Sequence, residues 1–270
     1  MAFGIRKGHL MELQSKVVLV TGAGSGIGKA AAVRLARAGA SVGVLSRTED
    51  EIQATVREIE SGGGQAIPLI ADISDADQMH QAVERFVQTY GRLDIVFANA
   101  GINGVWAPID ELQPEEWDKT IAINLRGTYL TIHYSVPHLK QAGGGAIVIT
   151  ASINGTRTFT SPGATAYSCT KAAQLAMTQM LALELAKHRI RVNVVCPGKI
   201  ETGIEDSTTH RSSEEAEVPA EYPEGKIPLT GQEPGTSDEV AELVLFLVSD
   251  RSRHITGTPV WIDGGQSLLV

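Results

Sequence analysis

The sequence predicts a doubly wound α/β fold, a parallel sheet of about seven strands flanked by helices, in a single domain. Three observations carry this. Short β-branched runs alternate with amphipathic stretches over nearly the whole chain. Several of those runs are apolar on both faces, as strands covered by helices on each side must be. A Gly-rich turn joins the first strand to the first helix, and no break rich in Pro or Gly divides the remainder of the chain.

In chain order the strands are expected at Val17–Thr21, Ser41–Leu45, Ala66–Ile70, Asp94–Ala98, Ala146–Thr150, Arg191–Val195 and Pro259–Ile262, bounded by Gly, Pro or Asn. Helical patterns lie between them at about 28–38, 49–60, 75–90, 115–140, 164–187 and 237–249. In the first, Ile27, Ala31 and Leu35 recur every four residues on one face, while Arg34 and Arg37 turn outward. Right-handed crossovers then wind the chain into one domain over residues 15–270. Two stretches break the rhythm. Residues 1–14 form an N-terminal extension, within which Met11 would serve equally well as a start. Residues 199–230 are polar and irregular, which in a compact domain predicts a functional loop, here a substrate lid that orders over its ligand.

Composition narrows the function. The 270 residues, 43% of them hydrophobic, can bury a full core. No apolar run approaches the length of a membrane span, so no membrane partner is expected. The N-terminus carries Arg6, Lys7 and His9 without an apolar core of signal-peptide length, and a cytoplasmic address is expected. Cys169 and Cys196 make neither a disulfide framework nor a metal cluster; both read as small buried hydrophobes. A net charge of −8 speaks against nucleic acid, whose phosphates need a cationic face.

The turn Thr21-Gly22-Ala23-Gly24-Ser25-Gly26-Ile27-Gly28 comes directly after the first strand and opens the first helix. Glycines let phosphate oxygens approach the backbone, and the helix N-terminus offers free N–H groups, so this is a dinucleotide-binding loop. The residues after the second strand report on the adenine ribose. An acid there would accept bonds from the 2′-hydroxyl and repel a 2′-phosphate. This chain reads Leu45-Ser46-Arg47-Thr48, with no acid until Glu49. Arg47 can pair with a phosphate while Ser46 and Thr48 donate to it, which favours NADP(H) over NAD(H). A solvated arginine at the start of a surface helix is the plainer alternative.

Tyr167-Ser168-Cys169-Thr170-Lys171 opens the longest helical pattern and puts Tyr167 and Lys171 on one face. A phenol titrates near ~10, and a nearby ammonium favours the phenolate and is expected to pull that value down. These motifs, together with Asp72 after the third strand, Asn99-Ala100-Gly101 after the fourth, Asn124, Ser152 and Pro197-Gly198, occur in a fixed order. In that order and spacing the chain resembles the short-chain dehydrogenase/reductase family, single-domain branch, from about residue 15 to residue 265. One departure is visible: many relatives carry a second Asn where this chain has Ala98.

The resemblance implies hydride transfer between a nicotinamide and a carbonyl or secondary alcohol. Tyr167 would be the acid–base, Ser152 would stabilise the substrate oxygen, and Lys171 would also bind the ribose. Asn124 would hold a water linking Lys171 to solvent. Asp72 and Ile73 would meet the adenine, Asn99, Ala100 and Gly101 would line the cofactor, and Ile200 and Thr202 would reach the carboxamide. It also implies a homotetramer built partly from the helices at 115–140 and 164–187. The apolar end Leu268-Leu269-Val270 would be covered at a subunit contact or would fray.

Candidate substrate residues are Asn103, Val105, Trp106, Asn154, Phe159 and the lid. Between Glu201 and Glu224 the lid carries Glu201, Glu205, Asp206, Glu214, Glu215, Glu217, Glu221 and Glu224 against Arg211 alone. Such a surface receives anionic carriers poorly, so a small neutral ketone or alcohol gains over a 3-oxoacyl-carrier substrate. Two other readings compete. A cofactor-binding regulator without turnover would be expected to lose catalytic residues, and an epimerase would carry different Gly spacing and a larger C-terminal domain.

Overall fold

The computed structural model describes residues 12–218 and 226–269. The strands in chain order are β1 (Val17–Thr21), β2 (Ser41–Ser46), β3 (Gln65–Ile70), β4 (Ile95–Ala98), β5 (Gly104–Trp106), β6 (Gly145–Thr150), β7 (Ile190–Pro197), β8 (Thr208–His210) and β9 (Pro259–Ile262). The helices are α1 (Gly26–Arg37), α2 (Glu49–Ser61), α3 (Ala76–Tyr90), α4 (Pro114–Thr120), α5 (Gly127–Gln141), α6 (Thr165–Ala186) and α7 (Ser237–Val248).

Seven strands form one sheet in the order β3-β2-β1-β4-β6-β7-β9, and every pairing in it is parallel. Both faces are dry. Val18 and Val20 point into a core with Ala31, Leu35 and Val244, from α1 and α7. Val17 and Leu19 point the other way, into a core with Phe86, Leu130 and Leu185, from α3, α5 and α6. The chain reverses its winding between β1 and β4, which opens a crevice above their C-terminal ends.

Several expectations need correction. The helix expected at 115–140 is α4 and α5 joined through a π-helical stretch, Ile121–Arg126. Such a stretch widens the turn by one residue, which a periodicity of 3.6 does not register. Arg34 turns outward as expected, but not free in solvent: its guanidinium pairs at the surface with Glu242 of α7. Cys196 is buried, but Cys169 is exposed, because two residues along α6 carry it away from the face that buries Tyr167. The segment expected as a lid contains β8, which pairs in parallel with β5, a strand too short to leave a periodic signal.

The N-terminal extension is shorter than the sequence pattern suggests. Leu13 is a core residue, 1% exposed, and its N–H donates to the Ala38 carbonyl at 2.8 Å. Glu12 pairs with Arg251 at 3.5 Å. Met11, Arg6, Lys7 and His9 lie outside the described residues. Leu13→Ala should therefore cost about 2–5 kcal/mol, measurable as a lower midpoint of urea unfolding. An unchanged midpoint would return Leu13 to the extension.

Candidate active site

The Gly-rich turn leaves β1 and makes two residues of left-handed backbone, Gly22 at φ 66° and Gly26 at φ 50°. A side chain on Gly22 would sit 2.9 Å from the Ala100 Cα, so the β1 and β4 loops touch backbone to backbone. Gly28 packs the helix onto the turn instead of facing the crevice; a Cβ there would meet the Gly22 carbonyl. Ser25 occupies the N-cap of α1 without capping it by its side chain, which leaves the first N–H groups for a ligand. Thr21 Oγ1 accepts from the N–H groups of Asn99 and Ala100 at 3.0 and 3.2 Å, tying the two loops together.

A cleft of about 490 Å³ lies over this turn. Gly22, Ser25, Gly26, Ile27, Ser46, Arg47, Thr48, Asp72, Ile73, Ala100, Gly101 and Thr202 line it, as does Glu51, which carries no signal in the sequence pattern. Arg47 is 62% exposed, with Nη1 3.7 Å from Asp72 Oδ2. Burial raises the Asp72 carboxyl, but hydrogen bonds from Ser74 and the charge of Arg47 outweigh it and hold it below the ordinary value. The glycine cradle, the open helix N-terminus and the polar edge of β2 suit a dinucleotide.

A second cleft, about 460 Å³, adjoins the first and shares Ile27, Gly101, Thr202 and Ile204 with it. Asn99, Asn103, Trp106, Ser152, Asn154, Tyr167, Lys171, Pro197, Gly198 and Ile200 line it. Ser152 stands just beyond the end of β6, and Tyr167 and Lys171 come from the first turns of α6. Tyr167 is 8% exposed and Lys171 4%. Lys171 Nζ donates to the Thr150 carbonyl at 2.9 Å and lies 5.3 Å from the centroid of the Tyr167 ring.

Electrostatics here runs against the sequence-based expectation. Burial pushes the Tyr167 phenol up to about 12, against a hydrogen bond with Ser152 that pulls it down; Glu205 of the lid adds to the rise. Burial also brings the Lys171 ammonium down to about 8. The expected lowering of the phenol is absent because desolvation outweighs an ammonium that is turned toward Thr150.

Asn124 lies fully buried on the π-helical stretch. Its side chain clamps Ile102, accepting from the N–H and donating to the carbonyl, both at 2.8 Å. Its own carbonyl receives Gln174 Nε2 at 2.9 Å. Among the substrate candidates, Asn103 is occupied with the lid: its N–H donates to Ser207 Oγ and its Nδ2 to Thr208 Oγ1. The Trp106 indole donates to the Asn103 carbonyl and places its ring 6.3 Å from that of Tyr167 and edge-on to His210. Asn154 donates its N–H to Ser152 Oγ at 3.1 Å. Val105, on β5, lies outside the cleft lining, and so does Phe159. It is 74% exposed and does not line the cleft, because the Asn154–Thr158 bridge folds that loop back and carries Phe159 outward. Gln266, from the far end of the chain, lines the cleft and has no signal in the sequence.

Known proteins share this fold. A family model described as enoyl-(acyl carrier protein) reductase matches residues 22–267. The chain is similar to a 3-oxoacyl-[acyl-carrier-protein] reductase of Thermotoga maritima, 37% identical over 94% of this chain and 99% of that protein. The chain belongs to the short-chain dehydrogenase/reductase family. A crystal structure of a 3-ketoacyl-ACP reductase from Sinorhizobium meliloti 1021 is 63% identical, at a TM-score of 0.92, over 94% of this chain and 100% of that one. A cyclohexanol dehydrogenase of Acinetobacter sp. is 39% identical over 95% of this chain and 96% of its own. Solved relatives hold either cofactor. One from Brucella melitensis is complexed with NADH, at 32% identity, a TM-score of 0.83 and 94% and 99% coverage of the two chains. One from Burkholderia cenocepacia is complexed with NADP, at 35%, 0.82, and 94% and 99%. This short-chain dehydrogenase/reductase is an oxidoreductase using a nicotinamide cofactor, and the reading as a regulator without turnover falls away.

The described part of the lid is fastened at several points. Arg211 forks onto Glu116 of α4, with Nη2 2.8 Å from Oε2 and Nη1 2.9 Å from Oε1. This fork, helped by the Gln113 N–H, holds the Glu116 carboxyl below its usual range. The Arg211 N–H also donates to the Trp106 carbonyl. Arg211→Ala should release β8 from β5 and raise amide exchange across residues 208–211 by about tenfold, with the unfolding midpoint moved little. Exchange equal to the parent's would mean that the strand pairing alone holds the lid.

Proposed function

We propose that this enzyme reduces a small neutral ketone, or oxidises the matching secondary alcohol, with NADP(H) preferred over NAD(H). The observation that carries the reading is one continuous crevice in which Ser152, Tyr167 and Lys171 face a glycine cradle across Ile27, Gly101 and Thr202. When bound, the nicotinamide supplies or accepts the hydride. The chain's own residues manage the proton. Tyr167 gives its phenolic proton to the carbonyl oxygen during reduction and takes it back during oxidation. Ser152 donates to that oxygen as charge develops on it. Lys171 steadies the resulting phenolate and binds the ribose. Asn124 acts through Ile102, which it holds against the crevice, and through the buried surroundings of Lys171, where a relay water would sit.

The acid residues favour a neutral substrate. Glu205 and Glu217 line the substrate cleft, and Asp206 lines the cofactor cleft. Lys199 and Lys226 also line the substrate cleft, but acids outnumber bases along the lid sequence as a whole. That excess in the lid sequence disfavours an anionic carrier. The second reading, reduction of an acyl-carrier-bound ketone, is favoured by the names of the Thermotoga and Sinorhizobium relatives. A direct comparison of kcat/KM on small cyclic ketones and on acyl-carrier thioesters separates the two. A homotetramer accords with the apolar residues left bare on the two long helices, Tyr129 on α5 and Met180 and Leu183 on α6, the last 82% exposed. Leu268, 72% exposed, fits cover by a second copy.

The buried pair predicts how activity responds to pH. A phenol near 12 stays protonated and ready to donate throughout the neutral range, whereas the ammonium near 8 is lost as pH rises. Carbonyl reduction should therefore hold below pH 8 and fall above it, and Tyr167→Phe should lose at least ~10²-fold at every pH with NADPH binding nearly intact. A Phe variant that reduces substrate at the parent rate would remove Tyr167 from the mechanism.

Cofactor choice is read at Arg47. A charge-assisted bond to the 2′-phosphate belongs to a class worth ~1.5–3 kcal/mol, and exposure pushes it toward the low end. Arg47→Ala should weaken NADPH roughly tenfold and leave NADH nearly unchanged, with the difference shrinking in high salt. Equal losses for both cofactors, or none, would make Arg47 a surface charge.

A further inference from the structure

We propose that Glu51 is a specificity-determining residue that opposes Arg47, so that the preference of the cofactor cleft for NADP(H) over NAD(H) is smaller than Arg47 alone would set. The inference rests on the proposed placement of the ribose 2′ position beside residues 46–48.

Glu51 falls four residues after Arg47, one turn into α2, and the helix brings it back over the Gly-rich turn. Its carboxylate Oε2 comes within 2.7 Å of where a side chain on Gly24 would begin, and Ser46 Oγ lies 3.5 Å from the same point. The carboxylate and the Ser46 hydroxyl thus share one small space at the edge of the cleft, whose lining includes both residues, Arg47 and Asp72. Among the described residues, no hydrogen bond or ion pair engages the Glu51 carboxylate. Gly24 is what makes room for it.

Charge counting at this edge gives Arg47 against two carboxylates. Asp72 already meets Arg47 at 3.7 Å. A 2′-phosphate carries nearly two negative charges and must take Arg47 from Asp72 while lying near Glu51. A free 2′-hydroxyl has the opposite experience, because it donates a hydrogen bond to a carboxylate. Arg47 pulls selectivity toward NADP(H) and Glu51 pulls it back. In water-exposed surroundings a carboxylate and a phosphate dianion a few ångström apart repel enough to change affinity by about 3- to 10-fold.

The glutamate is exposed and bears no packing load, so its variants should fold. Glu51→Gln should tighten NADPH by about 3- to 10-fold in direct fluorescence titration and leave NADH within about twofold. Glu51→Lys should go further in the same direction, and both effects should shrink at high salt. Glu49→Gln removes the same charge from the same helix at a position outside the cleft lining and should leave the ratio of the two affinities alone. If Glu51→Gln leaves that ratio unchanged while Arg47→Ala alters it, Glu51 takes no part and the phosphate reading stands. If neither variant alters it, the placement of the 2′ position fails and this inference falls with it. Equal shifts from Glu49→Gln and Glu51→Gln would reduce the effect to net charge and overturn the assignment.

Discussion

The bond from the Lys171 ammonium to the Thr150 carbonyl, 2.9 Å long, is the contact on which the active site hangs. An ammonium that is 4% exposed must have polar partners, or burial would cost more than a marginally stable domain can spare. The last carbonyl of β6 is such a partner. It fixes the first turns of α6 over the sheet edge and so places Tyr167 beside Ser152. Thr150 in turn donates its hydroxyl to Asn99 Oδ1 at 3.1 Å, and the Asn99 N–H reaches Thr21. A short polar chain thus runs from α6 to the Gly-rich turn, along the C-terminal ends of β6, β4 and β1.

Burial also sets the resting charge of the site. Taking both groups out of water leaves a protonated phenol and an ammonium near its midpoint at mildly alkaline pH. The pair is therefore poised to donate a proton in its free state, and abstraction needs a further positive charge nearby. Trp106 closes the space opposite. Its ring stands between Tyr167 and His210, so β8 and Tyr167 share one wall. Through Asn103 and Arg211 that wall is continuous with α4 and with the π-helical stretch that carries Asn124.

Much of this is legible in the chain. Seven strands of the main sheet lie where alternation and apolar runs put them, because two-sided burial demands runs of Val and Ile whatever the neighbours. The Gly-rich turn is legible because only glycine accepts the backbone of Gly22 and Gly26 and the close approach to Ala100. Tyr167 and Lys171 are legible as an i, i+4 pair. Phe159 is not, because an aromatic in a loop says nothing about which way the loop folds. Nor is Leu13, because a lone Leu before the first strand has no periodicity to mark it as core.

The sequence by itself determined the sheet, its two-sided burial, the glycine turn and the candidates for the reacting groups. Each of these is written in local spacing or in the chemistry of single residues. Tertiary structure alone decided the direction of the Tyr167 shift, since desolvation depends on what covers a group and not on its neighbours in the chain. It alone brought Glu51 back over Gly24 and set Asp72 beside Arg47. It alone paired β5 with β8, distant in the chain, where Asn103 bonds across to Thr208 at one end and the Arg211 N–H bonds to the Trp106 carbonyl at the other. Contacts of that kind are made by the fold bringing distant segments together, and no periodicity along the chain encodes them.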